Sequence, residues 1–509
     1  MEILEKNKIL FLNIGILFLG LLIFSHNSPF YPFNEDFDIN IDLMTGRLVA
    51  YGKIPYVDYN SHRGPCSYLY TMICAMTGRG YHGLFLLECF SIFCTFFILR
   101  KTLYVLTTQF YDTYVTIGFY IWFFSESFSF GGKCEECFLW IPAIAIFTTT
   151  QRFFNQDISQ KKWLLLLFLN GILSGFLFCV KFTFTGVYVG LCVCLLIFAL
   201  QGKKIIGFFK ELAIFLFGMS IVPLICVLWA IKNKAFHNMI QSYIYINIFC
   251  YTSKEEQMPI LQKIGTNFLR MLTNSHNAYT LLCLFMIIFA ISVIVQLIRK
   301  RGMYAESREG VFLYFIIMMI FNVLPCLIGN LYEYYLTITL PFSILFSVLL
   351  LRNCDRKQKI WFPIYALSLA IAIGISSNQF FFIINYKENN VWVSEFAKEI
   401  ESSEDKSLLH IYMESSLGNY IKELPGCEHF CYLNANSLEI KLNQIEYLRE
   451  GKVKYVVNLR DDKDNTFYAD TKYTDPYLME NYELIKTGKT YYYYEGPAIV
   501  ELWRRKITK

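Results

Sequence analysis

The chain has 509 residues, of which 55% are hydrophobic and 18% aromatic, with a formal net charge of +5. So apolar a composition excludes an ordinary soluble enzyme of this length and reads as a polytopic membrane protein. The cations sit in short clusters between apolar runs rather than in one patch, which argues against nucleic-acid binding.

The first apolar run, Ile9 to Phe24, follows Lys6 and Lys8 and continues into His26-Asn27-Ser28-Pro29 without a small-x-small cleavage site. It reads as a retained anchor rather than a signal peptide. Taking apolar stretches of about 17 to 25 residues as membrane helices gives eleven predicted spans. They are 8–25, 82–106, 113–130, 136–151, 163–180, 183–201, 205–231, 278–298, 311–329, 332–351 and 360–384. Ser67 to Met76 is apolar but short, and reads as a re-entrant or interfacial helix.

Lys6/Lys8, Arg100/Lys101, Lys161/Lys162, Lys203/Lys204, Arg299/Lys300/Arg301 and Arg352/Arg356/Lys357/Lys359 occupy alternate loops. Lys and Arg in short loops stay on the cytoplasmic side. The N-terminus is therefore expected inside the cell membrane. Residues 26–81, the turn at 131–136, the loop 232–277 and the C-terminus are expected outside. The sixteen cysteines are scattered, mostly within apolar runs, where they act as small hydrophobes and form no disulfide framework. Cys427 and Cys431 lie in a polar region and read equally as a pair or as free thiols.

From about Asn385 the composition turns polar. Strands are predicted at 408–412, 453–457, 490–494 and 499–503, and helices at 391–400 and 437–448. The expected fold is an α-helical polytopic membrane protein of about eleven transmembrane helices, residues 1–384, followed by a small extracytoplasmic α/β domain, residues 385–509. The sequence has no internal repeat and no nucleotide-binding glycine loop.

The candidate chemistry gathers after the anchor. Asp36, Asp38 and Asp42 stand close together, and in a helix Asp38 and Asp42 share a face one turn apart. Carboxylates beside a bilayer wall suit proton abstraction, whereas an arbitrary acidic run is a solvated, helix-capping loop. Asp36-x-Asp38 also suits a divalent cation, but a lone D-x-D is weak ground and no metal or other cofactor is expected. Asp58 precedes His62-Arg63-Gly64-Pro65, where His62 and Arg63 suit phosphate oxygens, Arg with its planar fork. An interfacial Arg also snorkels to headgroups.

Further along, Gly131-Gly132-Lys133-Cys134-Glu135-Glu136 is a tight turn whose Glu135 and Glu136 either meet substrate or cap the next helix. The C-x-x-C of Cys134 and Cys137 has no second pair and makes no zinc site. Lys181 ends the fifth span, as a snorkelling cation or a lipid-phosphate ligand. Glu333-Tyr334-Tyr335 opens the tenth span, where tyrosines commonly form an interface belt.

Asp38, Gly46, Gly52-x-x-Pro55-Tyr56-x-Asp58 and His62-Arg63-Gly64-Pro65 together resemble the first outer loop of bacterial GT-C glycosyltransferases, the protein O-mannosyltransferase-like and aminoarabinose transferase-like members. The GG-x-x-EE turn and Lys181 fit the same likeness. It implies transfer of a sugar, with inversion, from a polyprenyl-phosphate donor to a protein, glycan or lipid acceptor among the membrane lipids. Asp38, or else Asp36, would be the catalytic base, and Arg63 with His62 or Lys181 would hold the donor phosphate. Asp58, Glu135, Glu136, Glu333 and Tyr335 would contact substrate. The C-terminal domain would cap the site and help select the acceptor. Lys133 and Cys134 depart from the Asn and Thr of such proteins, and Arg63 from their Lys. A transporter or flippase of lipid-linked sugars and a non-catalytic carrier-binding relative are the rivals. The carboxylates, however, gather on outer loops rather than at the midplanes that transport uses.

Overall fold

A computed structural model describes residues 2–59, 62–77, 80–154, 158–250, 258–274, 277–299, 308–329, 331–352, 354–376, 391–410, 416–421, 446–461, 475–492 and 496–506. Among these, nine helices are long and apolar enough to cross a membrane. The chain is a multi-pass membrane protein. Its candidate spans are Asn7–Phe24, Tyr81–Thr107, Gln160–Val180, Phe182–Gln201, Ile205–Lys232, Tyr279–Ile298, Val311–Ile328, Glu333–Arg352 and Lys357–Ile375.

Two of the eleven expected spans are shorter than the hydropathy suggests. The stretch 113–130 holds a helix over Asp112–Phe123 only, and 136–151 one over Trp140–Phe153, of 12 and 14 residues. At 1.5 Å per residue these reach about 18 and about 21 Å, short of a hydrocarbon core of about 30 Å. The first stops because the chain turns at Ser125, whose N–H and Oγ both donate to the Trp122 carbonyl at 3.0 and 2.6 Å. Gly131 and Gly132 then take φ values of +78° and +89°, which breaks any continuation into the single turn Cys134–Cys137.

Contacts group the chain into two compact units. One comprises Met1–Ser25, Leu86–Val227 and Gln257–Gln379; the other comprises His26–Phe85, Leu228–Glu256 and Phe380–Lys509. In the first unit, cations at helix ends are tied to neighbouring carboxylates: Arg100 to Asp112 at 2.9 Å and Arg152 to Glu211 at 3.3 Å.

The second unit joins the segment after the anchor to the C-terminal sheet. Strands β1 (Leu408–His410), β2 (Tyr455–Asp461), β3 (Tyr482–Tyr492) and β4 (Gly496–Arg505) run in the order β1-β2-β4-β3. β1 and β2 are parallel, and the other pairs antiparallel. Strand β3 begins at Tyr482, eight residues before its predicted start at 490. Its first half escapes a period-two reading because a bulge between Leu484 and Lys486 interrupts the alternation. Leu409, Val456, Leu478, Tyr482 and Trp503 form the core beneath the sheet. Of the predicted helix 437–448, the residues up to 445 lie outside the described residues, as do Cys427, Cys431 and the last part of 490–494.

In the same unit, helix Phe37–Ala50 buries Ile39, Ile41, Leu43, Met44 and Leu48, and crosses helix Pro65–Ala75. The crossing is at Gly46, where an added Cβ would lie 2.4 Å from the Thr71 carbonyl carbon and 2.5 Å from its oxygen. Both neighbours are backbone, so the helices themselves must separate. Gly46→Ala is expected to cost about 1–3 kcal/mol through overpacking, read as a lower midpoint in thermal melts of the detergent-solubilised protein.

Candidate functional site

Helix Phe37–Ala50 starts where Asp36, in extended conformation, caps it: the carboxylate accepts the Ile39 N–H at 3.2 Å. The Asp36 N–H donates to Asn34 Oδ1 at 2.8 Å, and Asn40 Nδ2 donates back to the Asp36 and Asn34 carbonyls at 2.9 and 3.0 Å. Asp36 is thus committed to the helix start. Asp38 and Asp42 lie one turn apart and meet a single guanidinium. Arg63 Nη2 is 2.8 Å from Asp38 Oδ1, and Arg63 Nε is 2.8 Å from Asp42 Oδ1. The Asp38 side chain is 23% exposed and that of Asp42 9%, so Asp38 is the carboxylate that a soluble reactant reaches more readily.

The loop carrying Arg63 is held from several sides. Tyr56, at φ +67°, donates its hydroxyl to the Arg63 carbonyl at 2.6 Å. Burial, and then the neighbouring tyrosines, push the Tyr56 phenol well above its ordinary range, so it stays a donor. Asn238 donates to the Tyr56 carbonyl and Asn247 to that of His62, each at 2.8 Å. Asp58 accepts the Ile54 N–H at 2.6 Å and closes its own turn. Gly64 then caps helix Pro65–Ala75, with Pro65 at its first position.

In the first unit a second charged cluster surrounds the Gly131–Gly132 turn. The Gly132 N–H donates to Glu136, and a Cβ at Gly131 would lie 2.6 Å from Glu88 Oε1 and 2.7 Å from Ser25 Oγ. Ser25 Oγ itself donates to Glu88 Oε2 at 2.8 Å. Burial, and then the Glu88 carboxylate, hold the Glu136 carboxyl well above the usual carboxylate range against the pull of Lys133 and the Gly132 N–H. Lys181 follows helix Gln160–Val180 and pairs with Glu135 at 2.6 Å, its ammonium 3.7 Å from the Tyr335 ring centre. Burial works against the Lys181 ammonium, but Glu135, Tyr335 and Cys134 outweigh it and raise its pKa. Lys133 lies over the Tyr334 ring at 3.6 Å, and Cys134 Sγ donates to Glu135 Oε2 at 3.2 Å. Glu333 pairs with Arg270 at 2.9 Å.

No protein-family model matches the chain, and no curated protein does. The crystal structure of ArnT from Cupriavidus metallidurans in the apo state aligns with a TM-score of 0.58, covering 96% of this chain and 97% of that one at 8% identity. ArnT from the same organism bound to undecaprenyl phosphate gives the same TM-score and coverages at 10% identity. The chain shares the fold of ArnT.

On that fold the sequence candidates separate into two groups. Asp36, Asp38, Asp58, His62 and Arg63 belong to the unit of residues 26–85, and Glu135, Glu136, Lys181, Glu333 and Tyr335 to the other. Within the first group Asp38 and Arg63 touch through their charged groups, and Asp42 completes the trio. Within the second, Lys181, Glu135 and Tyr335 come together. Several participants carried little signal. Glu88 is a buried carboxylate inside the apolar run Leu86-Leu87-Glu88-Cys89, and that anomaly alone marks it for a role. Asn238 and Asn247 have no spacing that relates them to a loop about 180 residues earlier.

Glu136 gives this protein's stability a pH dependence of definite sign. Below the ordinary value of 4.5 the folded and unfolded chains both hold its proton; above it the unfolded chain loses the proton first. Stability therefore falls as pH rises toward the folded-state pKa. Glu136→Gln is expected to raise the thermal midpoint by a margin that widens as pH rises above the ordinary carboxylate value of 4.5. A margin independent of pH in detergent melts would show that Glu136 is ionised in the fold.

Proposed function

We propose that this protein is a membrane glycosyltransferase that moves a sugar, with inversion at C1, from a polyprenyl-phosphate-linked donor to an envelope acceptor on the outer face. The observation that carries the reading is the Asp38–Arg63–Asp42 trio, held on a capped helix of a protein that shares the fold of ArnT. An ArnT structure of that fold binds undecaprenyl phosphate, which fits a phosphate-bearing lipid donor here.

The chemistry requires little else. The acceptor O–H or N–H attacks C1, the C1–oxygen bond to the donor phosphate breaks, and the acceptor proton passes to Asp38. The polyprenyl phosphate leaves as an anion, and Arg63 stabilises the charge that grows on it. A phosphate arriving at Arg63 competes with Asp38 and Asp42 for the same guanidinium, so donor binding loosens the hold on the base. His62 flanks Arg63. Lys181 in the other unit is assigned to phosphate on its own charge chemistry, with Glu135 as its counter-ion. Asp36 serves as helix cap rather than base. The cytoplasmic N-terminus and extracytoplasmic C-terminal residues expected from the cation pattern belong to this reading.

Purified protein supplied with a panel of polyprenyl-phosphate sugars, followed by mass spectrometry of donor and product, tests it. Asp38→Asn is expected to lower kcat by about 100-fold to about 10,000-fold, as for loss of a general base. Asp36→Asn should keep near-normal turnover, since Asn caps helices as well as Asp. An active Asp38→Asn enzyme would falsify the assignment of the base. For the phosphate half, Arg63→Ala should impair donor use far more than Arg63→Lys, and equal, negligible effects of both would remove Arg63 from the donor site.

A further inference from the structure

Helix Phe37–Ala50 presents a second polar face that the transfer chemistry does not use. Asn40 and Arg47, two turns apart, are 1% and 7% exposed, and both engage the short helix Leu417–Tyr420 within the same compact unit. Arg47 Nη1 donates to the Gly418 and Ile421 carbonyls at 2.6 and 3.1 Å. In the opposite direction, Asn419 Nδ2 donates to the Asn40 carbonyl at 2.9 Å and to its Oδ1 at 3.3 Å. The Tyr81 hydroxyl donates to the same Oδ1 at 2.5 Å. Apolar contacts flank these bonds: a Cβ on Gly418 would lie 3.0 Å from Met44 Cε, and Tyr420 meets Phe33 edge-on with ring centres 5.8 Å apart.

Apolar packing alone lets a helix turn about its axis or slide along it. Hydrogen bonds have direction. A buried guanidinium also carries a desolvation cost that a methionine or leucine would avoid, so its presence is poorly explained as a stabiliser. Bonds running both ways between helix Phe37–Ala50 and the Leu417–Ile421 turn, made at Asn40 and Arg47 one helical turn either side of Met44, fix rotation and axial position together. Those two coordinates decide where Asp38 and Asp42 point on the other face.

We infer that the Leu417–Ile421 turn is a positioning element for the Asp38–Arg63–Asp42 trio, with Asn419 and Arg47 as positioning residues that touch no substrate. The inference rests on the glycosyl-transfer reading. It gives the C-terminal segment a part in the transfer step itself, distinct from capping the site or selecting the acceptor.

The test uses the full chain in detergent, as wild type, Arg47→Met, Arg47→Lys, Asn419→Leu and the milder Asn419→Ser. Each is measured for kcat, donor KM and hydrogen exchange of backbone amides 39–50, with the span Tyr81–Thr107 as a fold control. Arg47→Met and Asn419→Leu should raise exchange in 39–50, leave the control span protected, and lower kcat by about 100-fold. Donor KM should stay within about two-fold, since ground-state binding is untouched. Arg47→Lys and Asn419→Ser should recover part of both exchange protection and kcat, and they carry the test where the larger changes do not fold. Folded variants with loosened amides but unchanged kcat would overturn the positioning role. Loss of donor binding in proportion to kcat would overturn it as well, since that places the turn in binding. A wild-type protein that transfers no sugar from any donor defeats the glycosyl-transfer reading, and the positioning role with it, whatever the exchange shows.

Discussion

Two carboxylates one helical turn apart repel, and a helix carrying Asp38 and Asp42 on a face turned from bulk water needs a cation between them. Arg63 meets that need with two different nitrogens, Nη2 to Asp38 and Nε to Asp42. Much of the local architecture follows from bringing that one guanidinium into place. Tyr56 and the Asn247–His62 contact hold the loop backbone, Pro65 starts the next helix immediately beyond it, and Gly46 lets the two helices touch. None of these residues carries charge into the trio. Together they set where the charge sits.

The first unit solves its electrostatics differently. Lys181 has one carboxylate partner and a tyrosine ring, whereas Glu136 is buried beside Glu88 and is pushed toward its neutral form. Pairing Lys181 with Glu135 and pushing Glu136 toward its neutral form both limit unpaired charge in a dry environment. The glycine pair serves this arrangement directly. Gly132 offers its N–H to Glu136, and Gly131 leaves room for Glu88 and Ser25, which a side chain there would occupy. The GG-x-x-EE pattern is therefore a folding requirement of a buried acid cluster.

What was legible in the sequence was whatever local periodicity encodes. Apolar length revealed the spans, and the i, i+4 relation paired Asp38 with Asp42. Period-two stretches located β1, β2 and β4. The two overlong spans misled because hydropathy does not register the turn at Ser125 or the break between the turn Cys134–Cys137 and helix Trp140–Phe153. Asp36 and Asp38 are chemically identical in an Asp-x-Asp, and only the backbone conformation at Asp36 makes it the cap. Least legible were the long-range partners. Arg47 and Gly418 are 371 positions apart, and Asn40 and Asn419 are 379 apart. A spacing that large follows only from the assembled fold.

The geometry also bears on a second departure from the resembled pattern, at Arg63. Arg63 stands where lysine is usual, and on charge alone the exchange is neutral. The contacts argue otherwise. Lysine offers a single nitrogen with three rotatable donors, so it serves two carboxylates only by placing one point between them. Arg63 instead reaches Asp38 and Asp42 through separate nitrogens on a rigid plane, each at 2.8 Å. Its orientation is thereby fixed relative to the helix axis, and with it the direction in which the rest of the guanidinium faces. A lysine at this position would keep the charge and lose that orientation. Asp42 is what makes the difference, because a guanidinium bound only to Asp38 would be free to swing about that contact.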